Sequence, residues 1–199
     1  MNKTRLEAFS DAVIAIIMTI MVLELKSPKG EDLAALHELL PTFLAYVLSF
    51  VYLGIYWNNH HHMLQATRKV NGKVLWANLL LLFWLSLIPF ATAWVGEHQA
   101  PLPTAVYGFV LLASGISYTI LQTKLAKHVE GENELLAEAV GRDLKGKLSM
   151  VMYTIAIALA FIDHRISEVI YVAVAAMWFI PDRRIEKQMD RGPQISSTE

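Results

Sequence analysis

Residues 9–25 read FSDAVIAIIMTIMVLEL, an apolar run with Asp11 near its start and Glu24 near its end. A helix needs about 20 predominantly apolar residues to cross a bilayer, and a candidate span covers about residues 6–26. Glu7 and Asp11 interrupt the beginning of this span, and no small-residue cleavage pattern follows Leu25. We therefore expect a retained first membrane helix rather than a signal peptide that is removed.

The rest of the chain repeats this apolar character. Hydrophobic residues make up 55% of the sequence and charged residues 18%, whereas about a quarter of a soluble domain is charged. Further candidate spans lie at about 39–60, 73–95, 103–126, 147–162 and 166–181. The last two have apolar cores of only about 15 residues, so a re-entrant hairpin is the alternative for that pair. The sequence predicts an all-α integral membrane domain of six transmembrane helices at 1–181, followed by a polar cytoplasmic tail at 182–199.

The distribution of basic residues predicts the orientation. With six spans and a cytoplasmic N-terminus, the cytoplasmic segments contain Lys3, Arg5, Arg68, Lys69, Lys73, Lys124, Lys127, Arg142, Lys145, Lys147, Arg183, Arg184, Lys187 and Arg191. The external loops contain only Lys26, Lys29 and Arg165. Basic residues concentrate in cytoplasmic loops, so both termini are expected to be cytoplasmic. The formal net charge of −1 gives no case for nucleic-acid binding.

The first helix has two kinds of surface. At about 100° per residue, Ile16, Thr19, Ile20 and Leu23 share one face, and Asp11 lies about 140° away from Ile16. Ordinary helix packing is one explanation of this stripe. A carboxylate within a membrane span is costly, so Asp11 is expected to have a functional role or to belong to a buried polar network.

The predicted topology supplies partners for that carboxylate. The second helix ends at the cytoplasmic boundary and the third begins there, with Asn78 about one turn inside. Ser10, Asp11, Trp57, His60 and Asn78 are therefore expected at one depth. External acids at Glu24, Glu31, Asp32 and Glu38 form either a negative vestibule or ordinary solvated loops.

A longer motif runs through the first helix. Arg5, Phe9, Ser10 and Asp11, followed by Ile16, Thr19 and Leu23, resemble the family of the endolysosomal potassium channel called transmembrane protein 175. This chain looks like its prokaryotic branch, which has one six-helix unit per chain. The resemblance continues through Trp57-Asn58-Asn59-His60-His61, Asn78, Pro89-Phe90 and Thr92. Beyond Gly96 it rests on the number of spans alone.

The resemblance implies a potassium channel that is weakly to moderately selective over sodium. It implies a homotetramer in the prokaryotic plasma membrane, with four first helices around a central pore and no cofactor besides permeant potassium ions. By position, the constricting residues are Ile16, Ile20 and Leu23, with Thr19 between the apolar rings. Where Glu24 stands, some relatives have proline, so the outer end of the pore can differ here.

The resemblance also implies a structural polar network that holds the pore helix against the second and third helices. By position, its members are Arg5, Ser10, Asp11, Trp57, His60 and Asn78.

Two other function classes fit some of the residues. A membrane metal-dependent enzyme would need converging ligands, but His60, His61 and His62 point about 100° apart on a helix, and the chain has no cysteine. We therefore expect no metal site and no catalytic residues. A proton- or cation-coupled transporter would also use a membrane Asp and His, but such carriers have paired repeats and broken helices. Here only Pro89 and Gly115 interrupt spans, and no internal repeat is visible.

Overall fold

The computed structural model describes residues 3–65, 67, 70–129 and 143–179, with side chains omitted at 127–129. The helices in this part of the chain are α1 (Lys3–Leu23), α2 (Leu33–Glu38), α3 (Leu40–Gln65), α4 (Gly72–Ser86), α5 (Ile88–Glu97), α6 (Pro101–Val129), α7 (Leu144–Leu159) and α8 (His164–Phe179). The all-α class predicted from the sequence is confirmed. The predicted tail at 182–199 lies outside the described residues, as does most of the loop at 127–146.

Four segments are long and apolar enough to cross a membrane. They are Lys3–Leu23, Leu40–Gln65, Gly72–Glu97 and Pro101–Ala126. At 1.5 Å per residue, the 21 residues of α1 extend about 31 Å, which matches a hydrocarbon core of about 30 Å. The first four predicted spans therefore correspond to helices of sufficient length.

The third of these segments is a pair of helices joined at Leu87. Proline has no backbone N–H and cannot continue the hydrogen-bond ladder of a helix. Pro89 stands in the first turn of α5, and Leu87 N–H bonds to Trp84 O at 3.2 Å in a tightened last turn of α4. The division between α4 and α5 at Leu87 therefore follows from Pro89.

α7 and α8 are shorter than the other spans. Each has 16 residues, which is about 24 Å of helix, and they are joined by a turn at 160–162 followed by Asp163. α7 begins at Leu144 rather than near 147, because Asp143 caps it by accepting a hydrogen bond from Gly146 N–H at 2.8 Å. Whether this pair spans the bilayer fully stays a prediction.

A group of buried tyrosines holds α8 against the body of the protein. Tyr52 Oη donates to the Tyr171 carbonyl at 2.6 Å, and Tyr171 Oη donates to the Thr104 carbonyl at 3.1 Å. A side chain at Gly108 would overlap Tyr171 Oη. The absence of a side chain at Gly108 therefore lets the Tyr171 ring lie directly against α6.

Candidate pore helix and its polar anchor

One face of α1 is buried against α3, α4 and α5. Its fully covered residues follow the three- and four-residue spacing of a helix face, namely Leu6, Ser10, Ile14, Ile17 and Met21. Burial of an aliphatic side chain stabilises a soluble protein by about 1.5–3 kcal/mol, but lipid is as apolar as this core. Shape and hydrogen bonding must therefore fix the rotation of α1 about its axis.

A buried hydrogen-bond chain provides that fixation. Asn78 Nδ2 donates to Ser10 Oγ at 2.9 Å, and Asn78 Oδ1 lies 2.7 Å from His60 Nε2. Ser10 Oγ in turn donates to the Leu6 carbonyl at 2.9 Å. Since an amide oxygen only accepts, His60 carries its proton on Nε2. The chain links α1, α4 and α3, and its three side chains are 0–1% exposed.

A second set of contacts runs along the neighbouring edge of α1. Trp57 Nε1 donates to Asp11 Oδ1 at 3.0 Å, and His61 Nδ1 lies 3.3 Å from Glu7 Oε1. One turn further, Lys3 Nζ donates to the Gln65 carbonyl at 3.1 Å. We call this set the α1–α3 ladder. The contacting residues are four apart on both helices, and the two helices run in opposite directions. One contact of the ladder therefore forms at each helical turn.

The structure brings together most of the predicted polar network. Ser10, His60 and Asn78 form the buried chain, and Asp11 and Trp57 form one step of the ladder. Arg5 does not join them. Its side chain is exposed and forms no hydrogen bond or ion pair within the described ranges.

The opposite face of α1 is not covered by its own chain. Ile16, Ile20 and Leu23 are 58%, 42% and 74% exposed, and Thr19 is exposed between them. The Thr19 hydroxyl donates to the Ala15 carbonyl at 2.8 Å. Because its proton is used, the hydroxyl oxygen offers only acceptor lone pairs to its surroundings.

An open cleft of about 450 Å³ lies between α1 and α5. Ile16, Ile20 and Glu24 line it on one side, and Phe90 and Ala93 line it on the other. Phe90 is 60% exposed. The cleft therefore joins the exposed stripe of α1 to an exposed apolar patch of α5.

The three consecutive histidines serve different neighbours. His60 contacts Asn78 on α4, whereas His61 contacts Glu7 on α1 and Gln65 on its own helix. In the described part of the chain, no three His, Asp or Glu side chains are grouped as metal ligands.

Sequence reasoning missed the Glu7–His61 and Lys3–Gln65 contacts. The signal was present, because Lys3, Glu7 and Asp11 are spaced by four, as are Trp57, His61 and Gln65. Such spacing places each set on one helix face. Pairing the two sets required knowing that α1 and α3 are neighbours.

Comparisons with known proteins bear on this arrangement. The sequence model of the family described as "Endosomal/lysosomal potassium channel TMEM175" matches residues 5–89, which include the buried chain and all of the α1–α3 ladder except Lys3. A protein of Chryseobacterium sp. (strain P1-3) named as a potassium channel is 54% identical over 190 residues, covering 95% of this chain and 98% of that protein. The chain belongs to the TMEM175 family.

Further TMEM175 relatives agree in sequence and in structure. A protein named as a potassium channel from Chamaesiphon minutus is 32% identical over 175 residues, covering 80% of this chain and 84% of that protein. The crystal structure of a lysosomal potassium-selective channel TMEM175 homolog from Chamaesiphon minutus matches with a TM-score of 0.79 at 28% identity, covering 89% of this chain and 96% of that chain.

A vertebrate TMEM175 relative matches over a shorter region. The mouse protein, named an endosomal/lysosomal proton channel, is 35% identical over 103 residues, covering 46% of this chain and 21% of the mouse protein.

Membership of the TMEM175 family confirms the resemblance drawn from the motif in α1. It identifies the chain as a membrane-embedded ion channel protein. The prediction that the chain is not an enzyme is confirmed in the same way, because the family and the relatives are channels.

Proposed function

We propose that four copies of this chain form a potassium channel, weakly to moderately selective over sodium, in the prokaryotic plasma membrane. In this proposal the four α1 helices surround the pore. Ile16, Ile20 and Leu23 form its apolar constriction, and Thr19 forms a hydroxyl ring within it. The relatives named as potassium channels support the choice of ion.

One observation carries the proposal, namely the division of α1 into an anchored face and an exposed face. Ile14 and Ile17 are 1% and 4% exposed, whereas Ile16 is 58% exposed. The anchored face contains a buried hydrogen-bonded polar pair that joins α1 to α4, Ser10–Asn78. A helix whose rotation is fixed by its neighbours presents the same four residues outward in every subunit.

The apolar rings would control the passage of water. A narrow ring of Ile or Leu side chains can close a pore by dewetting, without a charged plug. Conduction then requires the rings to widen enough for a hydrated ion. The anchor formed by Ser10, Asn78 and His60 would hold the base of α1 while its other end moves.

The hydroxyl ring would act on selectivity. Four Thr19 oxygens, with their protons donated to the backbone, would replace part of the hydration shell of a passing cation. Potassium loses water more readily than sodium, so a weak ring of acceptors favours potassium modestly.

The deciding experiment is the reversal potential of the purified protein in a planar bilayer under a potassium/sodium gradient. We expect unitary currents that reverse toward the potassium equilibrium potential. Saturable flux without unitary currents would instead indicate the coupled transporter.

Thr19→Val then tests the hydroxyl ring, because it removes the oxygen at nearly constant volume. We expect the potassium-to-sodium permeability ratio to fall toward one, and Thr19→Ser, which keeps the hydroxyl, to retain the ratio. An unchanged ratio in Thr19→Val would exclude Thr19 from selectivity.

A further inference from the structure

An ion pair links the two segments that leave the membrane beyond the proposed pore. Lys26 lies in the loop after α1, and its ammonium donates to the carboxylate of Glu97, the last residue of α5. Their side chains are 73% and 39% exposed. The pair therefore lies at the surface, at the opposite end of α1 from the Ser10–Asn78 contact.

A second carboxylate, that of Glu24, stands two residues before the same lysine in the sequence. The hydrogen bond and the charge of Glu97 raise the pKa of Lys26, and the charge of Glu24 adds a smaller rise. Glu24 is exposed and has no hydrogen bond or ion pair within the described ranges. Lys26 is therefore hydrogen-bonded to Glu97, while the charge of Glu24 acts on it without a direct bond.

Glu24 lies at the end of the proposed pore helix. Glu24 directly follows Leu23, which ends α1, and lines the cleft beside Ile20. In the proposed channel its carboxylate lies immediately beyond the outermost apolar ring. A charge at that point acts on ions about to enter or leave the constriction.

We propose that Glu24 raises the conductance for cations at the outer mouth of the channel, and that Glu97 keeps Lys26 from neutralising it. This inference rests on the proposed function. Glu97 is then a positioning residue, because it acts on the permeant ion only through the location of the lysine.

The expected size of the effect depends on ionic strength. A carboxylate at a pore entrance concentrates cations locally, and its field extends about 30 Å at 0.01 M salt but about 3 Å at 1 M. Lys26 is two residues from Glu24 in a loop. When Glu97 no longer holds it, its ammonium can approach Glu24 and cancel that field.

The test is a set of unitary potassium conductances in bilayers at about 0.01 M and about 1 M potassium. At low salt we expect Glu24→Gln and Glu97→Gln each to lower the conductance about twofold. The double variant Lys26→Gln/Glu97→Gln should regain the wild-type value, because it removes the freed cation. At the high salt concentration, the conductances of all variants should approach the wild-type value, because the charges are screened.

Either of two results would overturn the inference. One is a wild-type conductance at low salt in Glu97→Gln or in Glu24→Gln. The other is a double variant whose conductance stays below the wild-type value. Lys26→Gln alone provides a check that does not need the Glu97 variant to assemble, since losing a lysine already held away from Glu24 should not reduce conductance. Glu31→Gln, in the same exposed loop but farther along the chain from Leu23, is the matched control and should have the smaller effect.

Failure of the proposed function can be distinguished from failure of this inference. Absence of potassium current in the wild-type protein contradicts the proposed function itself. Normal wild-type current with an unchanged set of variant conductances contradicts only the roles of Glu24 and Glu97.

Discussion

Asn78 has both ends of its amide group occupied inside the protein. It donates to Ser10 Oγ at 2.9 Å and lies 2.7 Å from His60 Nε2. The remaining ring nitrogen of His60, Nδ1, is buried without a hydrogen-bond partner in the described structure. His60 therefore depends on Asn78 for its hydrogen bond to a neighbouring helix, and Asn78 gives α1 a buried side-chain hydrogen bond to α4.

We predict that Asn78→Ala destabilises the subunit by about 1–3 kcal/mol, because it leaves the His60 N–H without an acceptor in a buried site. Thermal unfolding in detergent would measure the change. Asn58→Ala is the matched control, since Asn58 is exposed on α3, and it should unfold near the wild-type temperature. Equal unfolding temperatures for both variants would mean that the amide does not hold α1.

At Ile16 the prediction concerns current rather than stability. Ile16→Asn places a polar amide in the proposed constriction, where it would favour water and oppose dewetting. We expect a higher open probability or a constant leak in single-channel recordings. Val22→Asn, also on an exposed part of α1 (Val22 is 45% exposed) but off the stripe, should leave gating unchanged. Unaltered currents in Ile16→Asn would show that Ile16 does not constrict the pore.

Among the elements, α6 depends on two glycines with different surroundings. A Cβ at Gly108 would overlap Tyr171 Oη and approach Ile157 Cγ1 to 3.0 Å, whereas a Cβ at Gly115 would meet Tyr56 Oη only at 3.7 Å. Gly108 therefore permits the close approach of α8 to α6. Gly115 leaves space that a methyl group can occupy.

This contrast predicts opposite effects of one chemical change at two positions of α6. Gly108→Ala should cost about 1–3 kcal/mol, because overpacking displaces Tyr171 and its bond to Thr104. Gly115→Ala should be neutral or stabilising by up to about 1 kcal/mol, because alanine has the higher helix propensity. Unfolding temperatures measured side by side would check the order, and a Gly108→Ala protein as stable as Gly115→Ala would contradict it.

Helix lengths and the two faces of α1 could be predicted from sequence because they depend on local spacing. The stripe Ile16, Ile20 and Leu23 and the separate direction of Asp11 follow from 100° per residue. Which helices meet is a tertiary property. Hence Asn78 could be placed at the correct depth from topology, but the pairing of His61 with Glu7 could not be anticipated.

The third segment was predicted only in part. Pro89 indicated an interruption of the span at about 73–95, but the exact division of that span into α4 and α5 at Leu87 was not predicted. The close contact of Tyr171 with Gly108 has no local signature, because the two residues are far apart in sequence.

Across the described part of the molecule, many large apolar side chains are exposed, as is expected of a protein whose surface lies in a membrane. On α7 and α8 the exposed side chains include Leu148, Val151, Ile155, Val169 and Val172, and Ile162 is exposed in the turn between them. Large exposed apolar areas mark contact with a membrane or a partner. This surface favours a location of α7 and α8 within the bilayer, even though each helix is short.

The predicted topology can be tested directly because the sequence contains no cysteine. We expect Lys29→Cys and Ile162→Cys to react with an impermeant maleimide in intact cells. Lys73→Cys should react only after permeabilisation. Protection of Ile162→Cys in intact cells, with normal reaction of Lys29→Cys, would favour a re-entrant hairpin over two spans.

The continuity of α1 sets a condition on how its sequence can vary. Ser10 and Ile16 lie six residues apart in one uninterrupted helix from Lys3 to Leu23. Inserting or deleting one residue between them would turn every residue of the stripe by about 100° and move it by about 1.5 Å, while Ser10 stayed bonded to Asn78. The number of residues between Ser10 and Ile16 thus fixes the direction in which the stripe faces. A substitution within α1 leaves the direction of the stripe unchanged, whereas a change in the number of residues between Ser10 and Ile16 turns the stripe away from the direction that the Ser10–Asn78 bond fixes.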